Sequence, residues 1–180
     1  MRYAVRWGGA AVVLATLAVG CSKTPTGTKR EQDEEQVRGK FVALQGALKA
    51  LIAKPDGADT RAVFDLLHTD SQLDADRVAK SVSERYAKAD DAAKAKMAEK
   101  LGMPGDQVAT LSGPNYLRSK VFLSGKTAEI PGSKFDKINF ERDKAWVHYI
   151  EDDGDREKLE LAREDRQWKI ILPIPRFEAP

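Results

Sequence analysis

One cysteine, two histidines and a few acids and tyrosines are the side chains with which this 180-residue chain could do chemistry. Asp65, His68, Tyr86, Tyr116 and His148 are residues that a pocket could turn into a general acid, a general base or a hydrogen-bond donor, because desolvation moves their proton affinities. None of them stands in a motif that pairs a nucleophile with a base. His68 falls at the expected end of a helix, where an imidazole meets the last carbonyls. His148 lies in mid-strand between apolar neighbours and is the stronger candidate for a site, set against the plainer reading of a strand histidine with satisfied nitrogens. A pocket built from Asp65, Tyr116, Trp146 and His148 is the expectation, with no catalytic set, no metal ligands and no cofactor assigned. Tyr86, Tyr149 and Trp168 read as core or pocket wall. Asp152, Asp153 and Asp155 around Gly154 lack the spacing and the distant bidentate acid of a calcium loop, and read as a hairpin turn.

Cys21 is the only thiol, and its surroundings explain it. Arg2 and Arg6 precede an apolar run from Gly8 to Gly20 that ends in small residues, the layout of a secretory signal over residues 1–20. The run is shorter than the roughly 20 residues needed to cross about 30 Å of hydrocarbon. Leu17-Ala18-Val19-Gly20-Cys21 resembles the lipobox of bacterial lipoproteins, with Ala18 where Leu is commoner. The resemblance implies cleavage between Gly20 and Cys21, a diacylglyceryl thioether on Cys21 and acylation of the new amino terminus, palmitate being a typical chain. Two or three acyl chains anchor stably, since each buried methylene contributes about 0.8 kcal/mol. Ser22 follows the cysteine, and the family's sorting rule then implies the outer membrane, facing the periplasm.

Residues 21–30 carry Thr, Lys, Pro and Gly with nothing apolar to bury, a flexible tether for a single domain over 31–180. Loss of the leader takes two of the 30 basic residues and leaves 28 against 28 acidic ones. A zero balance lacks the basic footprint of a nucleic-acid partner.

The helical half spans 31–124. Val37, Phe41, Leu44, Leu48, Leu51 and Ile52 recur at three- and four-residue steps and predict a long amphipathic helix over 31–54. A second helix is expected over 60–67, and a third, capped by Asp70 or Ser71, carries Leu73, Val78, Val82 and Tyr86 on one side. An Ala/Lys-rich helix over 89–101 closes at Gly102. One or two turns follow over 106–111, and Ser112-Gly113-Pro114 opens a last helix containing Tyr116, Leu117, Val121 and Phe122.

The sheet half spans 130–175. Runs at 135–142, 145–151, 157–163 and 168–173, separated by short turns, predict a four-stranded antiparallel meander. Counting across the turns puts Trp146 and His148 on the side of Leu159, Leu161, Ile170 and Leu172, and Val147 and Tyr149 on the other. A strand apolar on both faces is covered twice or meets a partner.

Helices followed by an antiparallel sheet make an α+β order. That order, with Asp143-Lys144-Ala145-Trp146-Val147 ahead of a closing Trp168-Lys169-Ile170-Ile171-Leu172, is similar to bacterial lipoproteins carrying a cone-shaped nuclear transport factor 2-like domain. With the lipobox, the zero charge balance, the two-sided apolar strand and the lack of a catalytic constellation, the expectation is a lipid-anchored envelope protein whose cone binds a partner or a small apolar ligand without catalysis. Two rivals follow from it: an isomerase or dehydratase with Asp65 or His148 as base, and a structural subunit that dimerises through the outer sheet face.

Overall fold

A computed structural model of the protein describes residues 28–178. The signal sequence, Cys21 and most of the tether lie outside the described residues. Thr28 caps α1 (Lys29–Ala53) through a reciprocal capping box with Glu31, so the helix absorbs the last two residues assigned to the tether. Val37, Phe41, Leu44, Leu48 and Leu51 are fully buried along one stripe, as the spacing predicts, whereas Ile52 is 43% exposed.

Six short or medium helices follow. α2 (Thr60–Phe64) stops earlier than expected because the backbone beyond it joins the sheet: Ile170 donates to the carbonyl of Leu66, and His68 donates to the carbonyl of Ile170. His68 is therefore not at the C-terminal end of a helix. Its Nδ1 accepts the amide of Asp70 at 3.2 Å and caps α3 (Thr69–Lys88), the role assigned to Asp70 or Ser71. Ser71 instead accepts the amide of Leu172 at 3.0 Å. The buried stripe of α3 is Ser71, Ala75, Ala79 and Val82, while Leu73 is 53% exposed. Those small residues let α6 (Gly113–Tyr116) approach closely. A Cβ at Gly113 would stand 2.2 Å from Asp76 Oδ1 and 2.9 Å from the Asp76 amide nitrogen.

α4 (Asp91–Leu101) buries Met97 and Leu101 and ends on Gly102 in the left-handed conformation, as predicted. α5 (Gly105–Ala109) and α6 are short, and the chain leaves helix after Tyr116, where a longer helix was expected. The Lys120 amide there bonds the Leu101 carbonyl at 2.8 Å. α7 (Lys126–Glu129) and a 3-10 turn (Ile130–Gly132) lead into the sheet.

The four strands β1 (Lys134–Glu141), β2 (Lys144–Ile150), β3 (Arg156–Glu164) and β4 (Gln167–Ile171) form an antiparallel meander in chain order, at most two residues from the predicted limits. The face assignment is overturned. Val147 pairs with Leu159 and Ala145 with Leu161, because Ile150 pairs with Arg156 across a five-residue loop. A count off by one residue exchanges the two faces of a strand. The inner face carries Ala145, Val147, Tyr149, Leu159, Leu161, Trp168 and Ile170, all at most 4% exposed, and α1 lies against it. Phe41 meets Tyr149 and Phe135 at centroid distances of 5.6 and 6.5 Å. Trp146 and His148 look outward and are half-buried.

Candidate functional site

The sheet has an incomplete corner, and a cavity forms there. β4 ends at Ile171, opposite Glu160, so residues 156–159 of β3 pair only with β2. The chain then runs on through Pro173 and Pro175, which have no amide to donate and cannot extend a ladder. Between this C-terminal segment and the stretch 121–130 lies a cavity of about 740 Å³. Val121, Ile130, Leu159, Leu172 and Ile174 supply its apolar wall, and Tyr149 one aromatic wall. Trp146, Lys158 and Glu160 reach it from the outer face around the open edge of β3.

The C-terminal segment is held by specific ties. Tyr116 is fully buried and donates its hydroxyl to the Pro175 carbonyl at 2.7 Å. Ser71 holds the Leu172 amide, and Lys100 donates to the Glu178 carbonyl at 2.7 Å. Phe177 is buried, with Lys100 Nζ 5.6 Å from its ring centroid.

The polar side of the cavity carries Lys158 as well as two acids. Glu157 and Glu160 line it, and Glu160 accepts Lys144 Nζ at 2.6 Å. Next to Tyr149, Glu151 is buried and its Oε1 has no hydrogen-bond partner. Burial, a hydrogen bond with Glu129 and the charges of Glu129, Glu157 and Asp153 push the Glu151 carboxyl up to about 7. Burial first, then the charges of Glu151, Glu157 and Glu129, push the Tyr149 hydroxyl up to about 12. Tyr149 is thus a hydrogen-bond donor at every physiological pH and not a base.

Of the four expected pocket residues, the structure brings one to this cavity. Trp146 lines it. Tyr116 stands behind it and fixes its wall through Pro175; burial pushes its hydroxyl up to about 12. His148 is on the outer face with Nε2 3.0 Å from the Asn139 side-chain amide, and Asp65 is exposed beside Arg61 at 3.9 Å. Neither lines the cavity. Tyr86 is packed at the α5 start, its hydroxyl occupying the space that a Cβ at Gly105 would need. The aspartate loop is a turn: Asp153 accepts the Asp155 amide at 3.0 Å and Gly154 has φ of 96°. Among the described residues no group of three or more His, Cys, Asp or Glu is arranged to hold a metal ion.

Tyr149, expected in core or pocket wall, lines the cavity, whereas Leu159 and Ile174 were not among the expected site residues. The two prolines that end β4 were the available signal, since a strand that must stop leaves its neighbour's edge open. No family model, curated protein or solved structure matches this chain. No helix among the described residues is long and apolar enough to cross a membrane.

Proposed function

We propose that this is a lipid-anchored protein of the bacterial envelope, held at the outer membrane by acyl chains on Cys21, whose cone-like domain of the nuclear transport factor 2 type binds a small apolar ligand. The observation that carries the binding reading is the cavity of about 740 Å³ at the open edge of β3. Its size falls within the range of pockets that enclose small organic ligands, and an apolar wall with a few fixed polar groups is how such pockets select and orient them. Tyr149 supplies a donor, while Glu157 and Glu160 are balanced by Lys158 and by Lys144 on Glu160, which favours a ligand whose polar end is neutral. We read the role as binding, a reading supported by Asp65 and His148, the bases named for a catalytic rival, standing outside the cavity.

Mass spectrometry of the full chain, extracted from its native membrane in neutral detergent, tests both halves. Under denaturing conditions the chain is expected to begin at Cys21 and to carry acyl additions. Under native conditions it is expected to retain a non-covalent molecule other than detergent, and to lose most of it in Ser124→Trp, which crowds the cavity from an exposed position. A mass without acyl chains overturns the anchor. An empty chain, or equal occupancy in Ser124→Trp, overturns the cavity.

A further inference from the structure

A second concavity lies further along the C-terminal segment, and its polar lining is basic. It is a groove of about 260 Å³ between α3 and residues 174–177. Asp74, Arg77, Val78, Ser81, Val82 and Arg85 follow one another at three- and four-residue steps and form one stripe of α3 along it, and Ile174, Arg176 and Phe177 face them. Val78, Val82, Ile174 and Phe177 give it an apolar lining. Arg77 and Arg85, eight residues apart, are separated by roughly 12 Å of helix rise. Arg176 comes from the other wall.

The charges in this groove are unbalanced. Arg77 pairs with Asp74 at 2.5 Å. Arg85 and Arg176 have no hydrogen-bond or ion-pair partner among the described residues. Three guanidiniums therefore stand against one carboxylate, in a chain whose mature charge balance is zero. A guanidinium is charged at all physiological pH values, and its planar fork matches the oxygens of a phosphoryl group two at a time. Cations on two walls above an apolar lining suit an anion carried on a small organic group.

We infer that this groove is a binding site for a phosphate mono- or diester, with Arg85 and Arg176 gripping the phosphoryl oxygens from opposite walls and Arg77 completing the charge. The same chemistry is offered by a soluble phosphate compound and by the headgroup of an anionic phospholipid. This site is independent of the apolar cavity, although Ile174 belongs to the walls of both.

Isothermal titration of the full chain in neutral detergent tests the inference, with inorganic phosphate, a short-chain phosphatidylglycerol and a short-chain diacylglycerol that lacks phosphate as titrants and sodium chloride matched for ionic strength. Saturable binding of inorganic phosphate, weakened at least tenfold in Arg85→Gln/Arg176→Gln, supports the site with a soluble ligand. Binding of phosphatidylglycerol alone, with the same loss in the variant, supports it with a lipid headgroup. No saturable heat with either anion, equal binding of the phosphate-free diacylglycerol, or a variant that binds like the parent overturns it. Should the double variant fold poorly by its urea midpoint, Arg176→Gln alone, at an exposed position, gives the same readout with a smaller loss.

Discussion

Two carboxylates sit at opposite ends of the sheet, each beside a buried aromatic ring, and the fold treats them in opposite ways. At the start of α1, Asp33 accepts from the Arg163 guanidinium and from Trp168 Nε1, while Arg163 stacks 4.8 Å over the Trp168 ring. At the far end of β2, Glu151 lies next to Tyr149 with Oε1 unpartnered and with Glu129, Glu157 and Asp153 around it. A buried charge that is paired and fully hydrogen-bonded fixes one geometry, whereas an unsatisfied one carries a desolvation cost. The first corner is a staple between helix and sheet. The second is the corner where the sheet is incomplete and the cavity opens, so polar strain and the cavity share one region.

The largest break in this comparison is the removal of Asp33. Asp33→Ala leaves Arg163 charged, three-quarters buried and unpaired, and is expected to destabilise the domain by about 2–3 kcal/mol. Asp33→Asn keeps one acceptor and should cost about half of that. Urea unfolding of both variants measures it; a loss below about 0.5 kcal/mol would reduce the staple to an ordinary surface pair.

Next in size is Tyr116→Phe. It leaves the part-buried Pro175 carbonyl without its donor and should cost about 1–2 kcal/mol. Because Pro175 is cavity wall, hydrogen exchange of residues 172–178 should accelerate more than exchange in α1. Uniform acceleration would show that the segment opens only with the whole domain.

Glu151 makes the contrast visible in pH. Its folded pKa, about 7, lies above the unfolded value of 4.5, so the folded state holds the proton more tightly. The resulting stability is complete below pH 4.5 and is lost as pH rises through 7. Glu164 runs the other way. The hydrogen bonds from Thr69, with the nearby charges of His68 and Lys169, lower its pKa, and its contribution appears as pH rises. The difference between wild type and Glu151→Gln cancels Glu164 and the histidines. Between pH 5 and pH 8 the urea midpoint of wild type should fall relative to that of Glu151→Gln. Parallel midpoints in the two proteins would remove Glu151 from the strained corner.

What was legible in the sequence follows the range of the interactions. The stripe of α1, the Gly102 stop and the strand limits are set by local pattern and turn residues, and they stand where the sequence puts them. The sheet faces depended on one loop length, and a loop of Glu151 to Asp155 gives no signal of its odd count. His68 took a new role because Leu66 and Leu67 pair with Ile170, a hundred residues away, and no spacing encodes that. Trp146 reached the cavity for a reason the sequence contained only in part: it faces outward, and the outer face wraps round the open edge of β3.

The smallest expected effect sharpens the comparison from the stapled side. The β3–β4 turn places Asp165 and Arg166 at φ of 48° and 66°, both in the left-handed region, one residue pair beyond Arg163–Trp168. Such a two-residue turn matches the twist of the strands but suits Asn-Gly or Asp-Gly far better than Asp-Arg. An L-residue with a side chain pays roughly 1–2 kcal/mol there, of which glycine's greater unfolded freedom returns about half. Arg166→Gly should therefore stabilise the domain by about 0.5–1 kcal/mol, read as a raised urea midpoint with an unchanged slope. In the Asp33→Ala background the same gain should appear in full if turn strain and the polar staple act independently. A smaller gain there would mean that the turn and the staple hold the corner as one unit, because residues that share a network do not add.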